Sequence, residues 1–178
     1  MNLISEIKIK KSLQIIYEDN KQINLNDLVE IIDQNSSVLN QLSIKKKDTV
    51  AIVLENGPKF ITSFLSSINC CIAAPLNPNY TSSEFAFYFK DLKPKGLITN
   101  FPSNHPSIKT AYKHKTKIIR LDGFYYKIDK KTSKNHIKKI NLSNLSDTAL
   151  ILHTSGTTSR PKMVALTHQN IVSSSRNI

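Results

Sequence analysis

Thr49-Val50-Ala51-Ile52-Val53-Leu54, followed by Glu55-Asn56-Gly57-Pro58, decides the fold class. The first six residues are β-branched and almost wholly apolar, the composition of a strand covered on both faces, as strands of a parallel sheet are. Asn56-Gly57-Pro58 predicts a turn. Beyond it, Phe60, Ile61, Phe64, Leu65 and Ile68 recur at the spacing of one helix face. Cys71-Ile72-Ala73-Ala74-Pro75-Leu76 then reads as the next short strand, ending at Pro75 or beyond. Strand, helix and strand in that order make a βαβ unit. The expected fold class is therefore α/β, with a mostly parallel sheet and helices on both faces.

The alternation continues downstream. Thr81-Ser82-Ser83-Glu84 has the form of a helix start with a carboxylate near the positive end of the dipole, and Phe85, Tyr88, Phe89 and Leu92 supply a packing face. Lys93-Pro94-Lys95-Gly96 stops that helix, Gly96-Leu97-Ile98-Thr99 predicts another strand, and Lys117-Ile118-Ile119-Arg120-Leu121 predicts one more. Residues 129–139 are lysine-rich and read as an exposed excursion. Upstream, Leu13-Gln14-Ile15-Ile16-Tyr17 and Gln22-Ile23-Asn24-Leu25 flank Glu18-Asp19-Asn20-Lys21, a hairpin pattern. Asn26 is a candidate cap for a helix from Asp27, with a possible break at Asn35-Ser36-Ser37, and the lysines at 45–47 are expected in a solvated turn.

Length allows one domain with a sizeable core, so residues 1–178 are expected to form a single unit without an interdomain linker. The net charge of +12, from 25 Lys plus Arg against 13 Asp plus Glu, could draw nucleic acid, acidic lipid or phosphorylated ligands. Lys heavily outnumbers Arg, and few aromatics are interleaved with the basic residues, which speaks against a nucleic-acid surface. Cys70 and Cys71 are adjacent, a placement that rarely satisfies disulfide geometry and fits a reducing compartment. The start lacks a signal-peptide core, and no run approaches the ~18 apolar residues of a membrane span, so a cytoplasmic location is expected.

Thr148-Ala149-Leu150-Ile151-Leu152-His153 predicts a strand that runs straight into Thr154-Ser155-Gly156-Thr157-Thr158-Ser159-Arg160-Pro161-Lys162, from which Met163-Val164-Ala165-Leu166 leaves as a second strand. Thr167 is the expected cap of a helix starting at His168. A polyphosphate needs several directed donors and positive charge. Thr154, Ser155, Thr157, Thr158 and Ser159 offer hydroxyls, Gly156 allows close backbone approach, and Lys162 brings a compact cation. The common nucleotide P-loop is excluded, because it would require glycine at 161 and a hydroxyl residue at 163, where Pro161 and Met163 stand. Running from strand to strand, the loop also has no helix N-terminus immediately behind it.

This nine-residue loop resembles the signature loop of the adenylate-forming, AMP-binding (ANL) superfamily of acyl-CoA synthetases. Residues 50–56 with Phe60, and the run Ala74-Pro75-Leu76-Asn77-Pro78-Asn79-Tyr80-Thr81-Ser82-Ser83-Glu84, are similar to the family's first βαβ region. Ser159-Arg160 stands where a glycine and a variable residue are usual. That variant, with His153 before it and Leu166-Thr167-His168-Gln169-Asn170-Ile171 after it, looks most like the oxalate-CoA ligase branch.

The resemblance implies that residues 1–178 form the incomplete N-terminal portion of a synthetase domain. It implies a two-step reaction in which a carboxylate attacks the α-phosphate of Mg-ATP, and the CoA thiol then displaces AMP. The expected ATP-binding residues are Thr154, Ser155, Gly156, Thr157, Thr158, Ser159, Arg160, Pro161 and Lys162, with Lys162 also offsetting charge in the first step. Thr167 and His168 are expected to cap and pack. No residue is assigned to Mg2+. The family's aromatic-Gly-x-Thr-Glu motif, ribose-holding aspartate and C-terminal catalytic lysine have no counterpart here. The chain alone is therefore expected to be inactive, and a separately encoded C-terminal part is a conceivable partner. A basic polyanion-binding module and a nonfunctional remnant are the competing readings.

Overall fold

The computed structural model describes residues 14–17, 21–127, 141–154 and 161–176. A hairpin of β1 (Gln14–Tyr17) and β2 (Lys21–Asn24) comes first, as the pattern predicted, with Tyr17 opposite Lys21. It leads directly into α1 (Leu25–Gln41). The cap is Asn24 and not Asn26. Asn24 Oδ1 accepts from the Asp27 N–H at 3.0 Å, while the Asp27 carboxylate accepts from the Asn24 N–H at 3.4 Å. Asn26 would have had Val29 at the third helical position, which could not return the second bond.

The expected break at Asn35-Ser36-Ser37 is absent, and α1 runs through it. Polar side chains disrupt a helix interior when they compete for its backbone. Asn35 and Ser36 are fully buried and bond elsewhere, to the helix that packs alongside.

The βαβ unit forms as read: β3 (Thr49–Val53), buried throughout, then α2 (Pro58–Cys70) and β4 (Ile72–Pro75). The predicted face of α2 forms only in part: Leu65 and Ile68 are buried and Phe60 and Phe64 pack against them, but the buried face extends to hydroxyl residues that were not predicted. Ile61 is 40% exposed and Phe60 and Phe64 are partly buried, whereas Thr62, Ser63, Ser66 and Ser67 are wholly buried. A hydroxyl-rich face can be buried because Thr62, Ser66 and Ser67 each find a carbonyl one turn back, whereas Ser63 Oγ has no hydrogen-bond partner among the described residues. Ser66 Oγ donates to the Thr62 carbonyl at 2.7 Å, Ser67 Oγ to Ser63 at 2.8 Å, and Ser36 Oγ to the Ser66 carbonyl at 3.1 Å.

Next come α3 (Ser82–Leu92), β5 (Gly96–Thr99), α4 (Pro106–Lys113), β6 (Lys117–Asp122) and β7 (Tyr125–Lys127). Of these, α4 and β7 were not read from the sequence. The capping box of α3 is as predicted: Glu84 accepts from the Thr81 N–H at 2.7 Å, and Thr81 Oγ1 accepts from the Glu84 N–H at 3.3 Å. The Thr81 N–H, and then the Thr81 hydroxyl that also donates to it at 2.7 Å, hold the Glu84 carboxyl below its ordinary range. The described chain closes with β8 (Thr148–Thr154), β9 (Lys162–Thr167) and α5 (His168–Arg176). The excursion at 129–139 lies outside the described residues.

Seven strands form one sheet in the order β7-β6-β5-β3-β4-β8-β9. The four inner pairings are parallel, and β7 and β9 close the two edges antiparallel. Alternate residues of β3 point to opposite sides: Val50 and Ile52 pack with α1 and α2, while Ala51 and Val53 pack with Phe85, Phe89, Ile108 and Ala111 of α3 and α4. This is the expected doubly wound arrangement with helices on both faces. Cys70 and Cys71 are buried free thiols. A hydrogen bond with Cys70, and then burial, push the Cys71 thiol up.

Candidate functional site

β8 and β9 form the antiparallel stem of the hydroxyl-rich loop. Their ladder runs from Leu150 opposite Leu166 through His153 opposite Met163 to Thr154 opposite Lys162. At its mouth, Thr154 Oγ1 donates to the Lys162 carbonyl at 3.4 Å. Directly opposed residues of a strand pair share a face, so Thr154 and Lys162 project to one side of the hairpin and His153 and Met163 to the other. Thr154 and Lys162 are exposed and Pro161 is half-buried. The structure thus brings the two ends of the expected phosphate loop together; Ser155, Gly156, Thr157, Thr158, Ser159 and Arg160 lie outside the described residues.

The other side of the stem rests on α3. His153 Nε2 and Asp91 Oδ2 are 2.8 Å apart, and the imidazole meets the Tyr88 ring edge-on with centroids 4.7 Å apart. Tyr88 in turn stacks on Tyr80 at 4.8 Å. Burial pushes the Tyr88 phenol up to about 12, so this ring stays neutral beside the stem at ordinary pH. None of these contacts was read from the sequence, although one signal was there: Asp91 sits in the last turn of α3, where a carboxylate opposes the helix dipole.

Behind β9, Thr167 caps α5 as expected. Thr167 Oγ1 accepts from the Asn170 N–H at 3.2 Å, and Asn170 Oδ1 accepts from the Thr167 N–H at 2.9 Å. His168 is fully buried, with its backbone N–H donating to the Asp147 carbonyl at 3.1 Å. Burial holds its imidazole below the ordinary range, which suits packing more than proton transfer.

A separate crevice of about 240 Å³ opens at the carboxyl ends of β3 and β5, lined by Leu54, Asn56, Gly57, Lys59, Asn100 and Phe124. The chain leaves β3 toward one face of the sheet and β5 toward the other, which makes this the topological switch point of a doubly wound sheet. The loop stem stands on the opposite flank of β3, beyond β4. Among the described residues, no group of His, Cys, Asp and Glu could hold a metal ion. No described helix is long and apolar enough to cross a membrane.

Residues 9–178 match the family described as AMP-binding enzyme. The chain belongs to the AMP-binding enzyme family. Similar AMP-binding family proteins include the oxalate–CoA ligase of Saccharomyces cerevisiae, 33% identical over 198 residues that cover 92% of this chain and 36% of that protein. The oxalate–CoA ligase of Arabidopsis thaliana is 37% identical over 161 residues, covering 86% of this chain and 31% of that one. Among solved structures, ATP-bound MatB from Rhodopseudomonas palustris superposes with a TM-score of 0.81 over 99% of this chain and 37% of its own, at 24% identity. The family resemblance carried by the loop is thereby borne out, and the fold is that of an N-terminal portion of an adenylate-forming enzyme. This AMP-binding chain spans about a third of the length of the curated relatives it matches.

Proposed function

We propose that this chain supplies the ATP phosphate-binding part of a carboxylate–CoA ligase. The observation that carries the reading is the cross-strand pairing of Thr154 with Lys162, which puts a hydroxyl and an ammonium on one face of a closed hairpin mouth. In the first step a carboxylate oxygen bonds to the α-phosphorus of Mg-ATP and pyrophosphate leaves with the electrons of the broken P–O bond. Thr154, Ser155, Thr157 and Thr158 hold the departing phosphates. Gly156 lets the backbone approach them, and Ser159, Arg160 and Pro161 complete the ATP-binding set. Lys162 offsets the charge that grows on the leaving group, an electrostatic and positioning contribution. In the second step the CoA thiol attacks the acyl carbon and AMP leaves. Mg2+ enters with ATP as the substrate complex, and the described residues offer it no cluster of their own.

The carboxylate and CoA sites belong to the two thirds of the relatives' length that this chain does not match, whether that portion follows on the same polypeptide or comes from another. The 178 residues alone are accordingly inactive in turnover. Two buried free thiols accord with a reducing, cytoplasmic setting.

Calorimetric titration with Mg-ATP, combined with pyrophosphate release over a panel of carboxylates, tests the reading. Saturable ATP binding that Lys162→Ala abolishes supports it, and turnover by these residues alone would overturn the inactivity. Polyanion binding that decays steeply with salt and ignores Lys162→Ala would favour the +12 charge as a nonspecific basic module.

A further inference from the structure

The parallel ladder joining β8 to the rest of the sheet is short. Its register among the described residues is the single pair Ala73 with Leu150. Pro75, two residues on, ends β4 and has no N–H to donate. The last residues of β8, His153 and Thr154, therefore extend past the strand that carries them, with β9 along their outer side. Because β9 is itself an edge strand, the hairpin mouth needs another tie if its two ends are to keep one position.

That tie is the contact between His153 and Asp91. The His153 side chain is 5% exposed, so its bond to the Asp91 carboxylate at 2.8 Å is shielded on the imidazole side. The Tyr88 ring lies against the same imidazole, and Tyr80 backs Tyr88, so the ring is held at its edge and along its flank. Asp91 is placed against the dipole of its own helix, which makes it a costly residue for α3 unless it serves a contact outside the helix. His153 immediately precedes Thr154 and lies opposite Met163, the neighbour of Lys162. Fixing this one imidazole thus fixes both entry points of the loop from the face opposite to Thr154 and Lys162.

We infer that Asp91 and His153 are positioning residues that clamp the stem of the phosphate loop to α3 and set where Thr154 and Lys162 stand. As far as ATP affinity is concerned, the inference rests on the function proposed for the loop. The mechanical claim does not, because the clamp acts on the hairpin whatever the loop binds.

The test separates the two. Backbone amide hydrogen exchange in the 178-residue chain is followed at residues 152–154 and 162–164 of the stem and at residues 50–53 of β3, for wild type, Asp91→Ala, Asp91→Asn and His153→Asn. Protection in the stem is expected to fall about tenfold in Asp91→Ala while protection in β3 stays at the wild-type level, and Asp91→Asn, which can still hydrogen-bond, is expected to recover part of the loss. Where Mg-ATP binds the wild type, Kd is expected to rise by about tenfold in Asp91→Ala. That lies between the negligible effect of an ordinary exposed pair and the hundredfold loss attached to a displacement of about 1 Å. Unchanged stem protection in Asp91→Ala, or equal losses in stem and β3, would overturn the clamp. Absent ATP binding by the wild type would count against the proposed function and leave the exchange result to decide the clamp.

Discussion

Asn35 and Tyr126, 91 residues apart, are joined by a 2.8 Å bond in which the Tyr126 N–H donates to Asn35 Oδ1. The same side chain donates through Nδ2 to the Phe124 carbonyl at 2.9 Å and to Ser66 Oγ at 3.3 Å. One buried amide therefore ties α1 to α2 and to the hairpin at the sheet's far edge. Asn35→Leu should leave the Tyr126 N–H and the Phe124 carbonyl without this partner at about 1–3 kcal/mol for each group left unsatisfied. Urea unfolding is the measurement, with a lower midpoint and an unaltered slope expected. An unchanged midpoint would show that other groups take over the bonds.

Lys93 caps α3 in the left-handed region at φ 46°, where a side chain is strained. Lys93→Gly should stabilise the chain by up to about 1 kcal/mol, raising the thermal midpoint by roughly 2–4 °C for a domain of this size. A lower midpoint would mean that the lysine side chain contributes more than its backbone costs.

At the other end of the same helix, Thr81 and Glu84 bond reciprocally. Thr81→Ala should cost about 1 kcal/mol, the usual loss of an N-cap side chain. Chemical denaturation of the variant beside Glu84→Gln would show whether the hydroxyl or the carboxylate carries more of the cap.

Acid should weaken the fold well before the carboxylates titrate. Burial lowers the His168 pKa from its ordinary 6.5, against smaller raising contributions from the Ile68 carbonyl and Asp147 and a lowering one from Lys46. A group harder to protonate in the folded chain than in the unfolded one makes stability rise with pH. The contribution is fully present above pH 6.5 and is lost as pH falls from there through the folded value. His105, also held down chiefly by burial, adds slope in the same direction. The urea midpoint is expected to drop between pH 7.5 and 5.5, and His168→Gln to flatten part of that drop. A midpoint that stays level in wild type would contradict the direction.

Cys70 and Cys71 should resist a water-soluble thiol reagent in the native chain and react fully in denaturant, because both thiols are buried. Fast native labelling would show that the end of α2 opens readily.

Much of the fold was legible because buried strands and amphipathic helices write their period into the sequence, as residues 49–54 and the packing face of α3 do. The hydroxyl-rich face of α2 was not, since Ser and Thr can be buried when a backbone carbonyl lies one turn back, and hydropathy does not record that partner. The cap at Asn24 was misplaced by two residues because only the reciprocal bond of Asp27 distinguishes it from Asn26. β7 was missed because three residues carry little periodicity, and its place is set by Asn35, far away in sequence. For the site, the two strands of the loop stem and the cap of α5 were readable as local patterns. The ties from His153 to Asp91 and Tyr88 depend on contacts more than 60 residues apart in sequence.

The strand order also sets a timetable for assembly. From β3 to β6 each new strand pairs with one already formed, β4 with β3 and β6 with β5 across one helix and β5 with β3 across α2, β4 and α3, so every closure through residue 122 is shorter than the one β8 makes. β8 must instead find β4 across more than 70 residues, while only residues 155–161 separate it in sequence from β9. The β8–β9 hairpin can thus fold as a local unit and arrive at a finished sheet, making its docking the last and slowest event in the making of the proposed site.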